Sequence, residues 1–466
     1  MKTIISCQVR FKFIRGITIA IFVFIFLITS NLLPQVTQEW VARYDGPGNY
    51  NDKEYAIAID SSGNVYVTGG SYGSGTDYDY VTIKYNSAGV EELVVRYNGP
   101  GNGEDKAKAI SIDNLGNVYV TGGSYGSETY LDYATIKYNN SGIEQWIARY
   151  NGPGNNNDYA EGIALDSLGN VYVTGWSDGS GTLYDYATIK YNSSGVEQWV
   201  ARYNDPENDY DYAYAIALDS SGNVYVTGVS YGSGTSWDYA TIKYNNAGVQ
   251  QWVARYDGPG NDYDSASAMA IDISGNVYVT GWSIVSGTNY DYATIKYNSS
   301  GVEQWVKRYN GPGNNEDWAW GIALDSSGNV YVTGESNGSG TGSDYATIKY
   351  NSSGVEQWVT RYNNQGSDSA YAIALDSSGN VYVTGDSHGL GTSSDYATIK
   401  YNNNGIQQWV ARYNGSGSGE DWAIAIALDS PGNVYIMGWS DSLVYDWDYA
   451  TIKYSQGTFS ESFYLY

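Results

Sequence analysis

The sequence predicts an all-β fold: a β-propeller of eight four-stranded blades, closed by an N-terminal strand that completes the last blade. Three observations carry this reading. The string Gly-Asn-Val-Tyr recurs at Gly63, Gly116, Gly169, Gly222, Gly275, Gly328, Gly379 and Gly432, at steps of 53 residues with a single step of 51. A fixed period of that size marks a repeat architecture. Each unit holds four short runs rich in Val, Ile, Tyr and Thr, broken by Ser-Ser-Gly, Gly-Ser-Gly and Gly-Pro-Gly turns, which is the content of one propeller blade. The two ends of the repeat region are complementary halves of one unit.

The elements follow in chain order. Met1–Arg15 carries Lys2, Arg10, Lys12 and Arg15 and no acid, and Ile17–Ile28 is an unbroken apolar run. Residues 1–36 therefore read as a signal peptide, or as a signal anchor if uncleaved, and the rest of the chain as exported. The run is short of the roughly 20 residues that span a bilayer. In the first unit the strand-like runs are Ala56–Asp60, Asn64–Thr68, Tyr80–Tyr85 and Glu92–Tyr97. The first run of each unit is rich in Ala and Gly, as in Ala215-Ile216-Ala217, which suits the crowded position at the axis. The fourth carries the bulk, Trp146, Trp199, Trp252, Trp305, Trp358 and Trp409, which suits the wide outer rim. The last unit reaches Tyr454 without a fourth run, whereas Glu39–Tyr44 precedes the first unit without a partner. Pairing the two closes a ring and leaves only short strand edges. Residues 37–454 are expected to form this single domain, with 455–466 as a tail.

Charge and composition narrow the function. The chain has 24 Lys+Arg against 50 Asp+Glu, a net charge of −26. That balance argues against a nucleic-acid partner, which needs a basic face. One Cys, Cys7, and one His, His388, exclude a disulfide framework and a multi-histidine metal centre. His388 sits in a Ser-His-Gly loop with no catalytic constellation around it. Paired carboxylates for glycoside hydrolysis need two acids made different by their surroundings, and the acids here repeat alike.

Repeated residues read as structural. Lys84, Arg96 and their equivalents recur in every unit, either as a ring of anion contacts or, as we expect, paired with the repeated acids of the Asp60 or Asp79 class. Asp60 and its equivalents open a turn whose backbone N–H groups an Asp accepts. Asp52, Asp105, Asp158, Asp211, Asp264, Asp317, Asp368 and Asp421 precede the first run and would ring one mouth of the channel. They serve there as calcium ligands or as caps on the loop backbone. Asp205, Glu207, Asp209 and Asp211 alternate like a calcium loop but lack its turn Gly and closing Glu. No cofactor is expected from the sequence, with calcium as the one alternative.

The positions that differ between units are the better guide to a site. They are the start of the first run (Lys53 and Tyr55; Lys106 and Lys108; Tyr159 and Glu161; Tyr212 and Tyr214; Ser265 and Ser267; Trp318 and Trp320; Ser369 and Tyr371; Trp422 and Ile424) and the residue after each Thr-Gly (Trp176, Trp282, Glu335 and Asp386, with Trp439 after Met-Gly). The binding candidates among them are Lys106, Lys108, Tyr159, Tyr212, Tyr214, Trp318, Trp320, Trp422, Trp176, Trp282 and Trp439. Both sets fall on one face. Aromatics beside Asn and Asp make a stacking surface for sugar or peptide, with packing between blades as the alternative role.

The unit Asp-Ser-Ser-Gly-Asn-Val-Tyr-Val-Thr-Gly followed by Asp-Tyr-Ala-Thr-Ile-Lys-Tyr resembles the bacterial β-propeller (SBBP) repeat, over roughly Glu39–Tyr454. The resemblance implies a propeller in a secreted or surface-attached protein. The family name specifies seven blades, where this chain has eight units. Gly195-Val196-Glu197-Gln198-Trp199 also resembles the Gly-x-x-x-Trp element of quinoprotein-type propellers. The expectation is a monomeric, secreted or cell-surface, non-enzymatic scaffold for an extracellular protein or carbohydrate, touching a membrane only through a retained N-terminal segment. The rival is an exported enzyme, quinoprotein-like or polysaccharide-active.

Overall fold

The computed structural model describes residues 36–457 except 49, 286–288, 365, 390, 418 and 443–445. The expected signal segment up to residue 35 and the last nine residues of the tail lie outside the described residues. Within them the chain forms eight four-stranded antiparallel sheets. Seven are built from consecutive strands, such as Asp105–Ile112, Val118–Tyr125, Leu131–Tyr138 and Glu144–Tyr150. The eighth takes Asp421–Leu428, Val434–Asp441 and Trp447–Gln456 and is completed by Val36–Tyr44, which pairs antiparallel with Trp447–Gln456. The pairing runs from Val36 opposite Gln456 to Tyr44 opposite Tyr449; it ends at Tyr44 and Tyr449 as the sequence pattern indicated and extends past Glu39 and Tyr454 at the other end. Gln456 explains the extension. Its amide donates to the Gly432 carbonyl (2.7 Å) and the Tyr382 hydroxyl (2.8 Å) where the other blades have a turn.

First strands of adjacent blades touch one another around the axis, and fourth strands lie outside, as the Ala/Trp gradient requires. The core repeats at each interface. Between the second and third blades, Tyr119 and Tyr133 of one pack on Val171, Val173, Ala187 and Ile189 of the next. Tyr133 donates its hydroxyl to the Ala187 carbonyl (3.1 Å), and six equivalents do the same. Each of these seven phenols thus meets an acceptor on the neighbouring blade, which avoids the cost of an orphaned donor; the eighth equivalent, Tyr449 at the seam, is buried without a partner. The outer Trp repeats this one layer out. Trp146 Nε1 donates to the Ser193 carbonyl (3.2 Å), and Trp40 Nε1 donates to Ser87 (3.3 Å) across the closure.

The repeated charges are structural, with two different partners. Arg96 donates to Asp79 (3.1 Å), to the Ser71 hydroxyl and carbonyl, and to Tyr44 of the preceding blade (3.0 Å). Every Arg of this class pairs with the Asp79-class carboxylate, at 2.7–3.1 Å in seven blades and 3.9 Å for Arg308. The Lys84 class does not use the Asp60 class as its ion partner. Lys137 lies 5.0 Å from the Tyr119 ring centre and donates to a turn carbonyl of the next blade. Asp113 is spent on its own turn: it accepts from Leu115 N, Asn117 N and Nδ2, and the Tyr119 hydroxyl. These bonds hold its carboxyl below the ordinary range although burial opposes them.

Candidate functional site

The strand order puts the second-to-third and fourth-to-first connections on one face, and the varying residues gather at the channel mouth there. One backbone feature, invisible to a pattern of alternation, organises them. Every first strand carries a β-bulge at the same register, for instance between Ala107 and Ala109 and between Ala319 and Gly321. The bulged residues are Tyr55, Lys108, Glu161, Tyr214, Ser267, Trp320, Tyr371 and Ile424. A bulge leaves its residue out of the ladder and re-aims it. Repeated eight times, it makes a ring of half-buried or exposed side chains around the mouth. Bulged residues of adjacent blades touch: Lys108 Nζ lies 3.8 Å from the Tyr55 ring centre, and the Trp320 and Tyr371 rings are 6.4 Å apart.

All eleven candidates from the sequence lie in this one network. Tyr159 stacks on Trp176 (5.6 Å, 11°), which meets Tyr212 edge-on at 5.6 Å. Tyr214 is the most open of the bulged residues. Trp282 is 5.2 Å from Trp320 and 6.1 Å from Trp318, and Trp422 is 5.7 Å from Trp439. Lys106 sits over Tyr78 at 4.5 Å. Most of the rings are half-buried and pack on each other between blades; Tyr159 is buried and Tyr214 is exposed. Tyr371, one of the varying positions, links Trp320 to Trp422, and Trp447, which the sequence pattern did not single out, stacks on Trp439.

Polar groups on this arc lack partners. The indole Nε1 atoms of Trp318, Trp320 and Trp422 are buried without an acceptor, and Asp386 Oδ1 is buried without a donor. Burial pushes the Asp386 carboxyl up to about 6 and raises Glu335 on the adjacent blade. Glu335 accepts from the Ser369 hydroxyl.

The acidic candidates have local duties. Each ring aspartate is buried and caps its loop: Asp105 accepts from Gly99 N (2.6 Å) and Tyr125 N (2.9 Å), and Asp317 from Gly311 N (2.7 Å) and Asn337 N (3.0 Å). Desolvation nevertheless lifts Asp52, Asp158 and Asp264 to about 6 and Asp211 to about 7. Asp205 Oδ1 accepts from Glu207 N and Asp209 N, Asp209 accepts from Tyr210 N, and Glu207 is exposed. Among the described residues, two ring aspartates also belong to groups of three close carboxylates: Asp52 with Asp45 and Asp448, and Asp264 with Asp238 and Asp257. The signal was in the sequence, since Asp45 and Asp257 stand where the other units have Asn. Arg43 and Arg255 partly neutralise these groups.

The opposite face carries shallow cavities between blades, of 370, 420 and 500 Å³. They repeat blade for blade around turn aspartates and Lys–Tyr pairs that already serve the fold, so the asymmetric mouth is the better site.

Five segments, 145–181, 198–234, 251–287, 304–340 and 357–391, match the family model of the beta-propeller (SBBP) repeat. The chain is a β-propeller-repeat protein. The propeller is 24% identical, over an alignment of 517 residues, to an uncharacterized WD repeat-containing protein of Acanthamoeba polyphaga mimivirus, covering 86% of this chain and 36% of the relative. The chain thus spans about a third of that relative's length. Among solved structures, the propeller is similar to a protein of unknown function from Dyadobacter fermentans (8% identity, 91% of this chain and 100% of that chain, TM-score 0.42). It is also similar to prolyl oligopeptidase B from Galerina marginata (11% identity, 87% of this chain and 55% of that chain, TM-score 0.45).

Proposed function

We propose that this propeller is a secreted or cell-surface binding scaffold whose ligand, a carbohydrate, seats on the aromatic arc of the bulge-ring mouth. The observation that carries the reading is the set of buried, unpaired indole N–H groups on Trp318, Trp320 and Trp422. Buried donors are almost always hydrogen-bonded, so these await solvent or a ligand. Beside them stand an unpaired carboxylate oxygen and broad ring faces. A sugar supplies hydroxyl acceptors for the indoles, hydroxyl donors for Asp386 and Glu335, and C–H faces for the rings. An apolar or purely cationic ligand leaves the N–H groups unmet. Titration of the full chain with a soluble oligosaccharide panel, with calorimetric and chromatographic readouts, tests this. The expected result is binding without cleavage, lost in Trp320→Ala. Turnover of the oligosaccharide would favour the polysaccharide-active alternative, and no binding across the panel would refute the reading.

A further inference from the structure

The mouth is electrically divided. Sixteen of the bases beyond residue 36 belong to the repeated Arg and Lys classes, and the Arg class is spent on the Asp79-class carboxylates. Of the four others, Lys53, Lys106, Lys108 and Lys307, three converge on the mouth from the first and second blades. Lys53 lies 4.9 Å from the Trp447 ring centre and 5.6 Å from Trp439, and Lys108 lies 3.8 Å from Tyr55. Lys106 pairs with Glu104 at 2.7 Å, whereas neither Lys53 nor Lys108 makes an ion pair among the described residues. Trp318, Trp320 and Glu335 belong to the sixth blade, four blades from the second in a ring of eight and so across the channel from Lys106 and Lys108.

We propose that the mouth takes an acidic oligosaccharide, its neutral rings on the Trp318–Trp320–Trp422 arc and its carboxylates held by Lys106 and Lys108, across the channel from Trp318 and Trp320, and by Lys53, where the arc ends beside Trp439. This rests on the carbohydrate reading above. In a chain of net charge −26, Lys53 and Lys108, which make no ion pair among the described residues, and Lys106 beside Glu104 form the cationic stretch of the mouth that attracts an anion. The ring faces under Lys53 and Lys108 position the ammonium groups, while a face-on ring does not saturate an ammonium's three donors. Burial holds the Lys108 ammonium below the ordinary lysine value, and an incoming carboxylate would offset that desolvation. Glu161, near Lys108, turns an oxygen to Trp176 Nε1 (3.3 Å) and makes no ion pair with the ammonium among the described residues.

The test compares two probes of equal length on the full chain: cellohexaose, and the same hexasaccharide oxidised to the carboxylate at C6. At about 20 mM salt the acidic probe is expected to bind on the order of tenfold tighter, and the preference to vanish near 0.5 M salt, where the Debye length falls to a few ångströms. Lys53→Met with Lys106→Met, which keep apolar stems on the rings, should equalise the two probes. Lys53→Arg with Lys106→Arg should keep the preference. Equal binding of both probes to the wild type overturns the proposal and leaves the carbohydrate reading standing. A salt-independent preference, or one that survives the Met pair, overturns it too. If neither probe nor any other oligosaccharide binds, both fall. The wild-type salt series needs no variant, so a Met pair that fails to fold still leaves a decisive measurement.

Discussion

Glu54 stands alone in the repeat. The other seven units carry Ala at its register, Ala107, Ala160, Ala213, Ala266, Ala319, Ala370 and Ala423. It is fully buried where the first blade meets the eighth. Oε2 accepts from Gly438 N (2.9 Å) and Oε1 from the Thr451 hydroxyl (3.4 Å). In the other seven blades the residue equivalent to Thr451 bonds to a facing Thr, as Thr135 does to Thr121 at 2.9 Å; here Met437 faces Thr451 instead. Around the carboxyl stand Asp52, Tyr85, Tyr396 and Tyr449, with no base among them. Desolvation therefore holds its pKa well above the ordinary Glu value. The sign follows from proton linkage. The folded chain binds a proton that the unfolded chain releases above the ordinary Glu pKa, so stability is full below that pH and is lost as pH rises toward the folded value. One proton is worth about 1.4 kcal/mol per pH unit. Glu54→Gln keeps an acceptor oxygen for Gly438 N, turns its amide donor toward the Thr451 hydroxyl oxygen and removes the titration. Between pH 5 and pH 7, the urea-unfolding free energy of Glu54→Gln minus that of wild type should rise by up to about 2.7 kcal/mol. Differencing against wild type cancels the other raised carboxyls, such as Asp158 and Asp264. Parallel pH profiles would refute the argument, because they would mean that Glu54 ionises in the folded chain as it does unfolded.

Deleting residues 36–44 removes the strand that pairs with Trp447–Gln456 and should lower the calorimetric melting temperature by many degrees and promote aggregation, whereas ending the chain after Gly457 should shift it little. Asp185→Ala strips the partner from Arg202 and should cost about 2–4 kcal/mol by denaturant titration, the range for breaking a half-buried ion pair. Trp320→Ala should abolish oligosaccharide binding with a stability loss below the roughly 3–5 kcal/mol of a fully buried Trp, since its ring is half-buried. Asp257→Asn relieves a group of three close carboxylates and should raise the melting temperature at low salt. If calcium fills that group, the wild type instead gains about 2.7 kcal/mol at a hundredfold excess over the dissociation constant, beyond sodium at equal ionic strength, and Asp257→Asn abolishes that gain.

The sequence by itself determined the period, the blade count, the order of strands from axis to rim and the closure of the ring. Those properties are local or periodic: Val-Tyr-Val-Thr alternation makes strands, Asp-Ser-Ser-Gly makes turns, and Trp40 with Arg43 repeats an outer strand whose place is vacant at Tyr454. Variation among otherwise identical units also located the mouth and its eleven candidates, because residues free of the repeat's packing duty are the ones free to differ. The tertiary structure decided the rest, and one physical reason covers it. Each remaining feature depends on which residues different blades bring within a few ångströms. The first strand begins at Lys53 instead of Ala56, because the bulge after Glu54 keeps the varying residues in the ladder while turning Tyr55 aside. The ring aspartates read as ligands or as loop caps from their position alone, and the loop N–H groups that two connections bring to their oxygens are a tertiary feature. The Lys84 class looked like half of an ion pair until the Tyr66-class rings came beneath it. The unpaired indoles across the channel from Lys106 and Lys108, and the lone buried Glu54 at the seam, exist only once eight separate sheets share one axis.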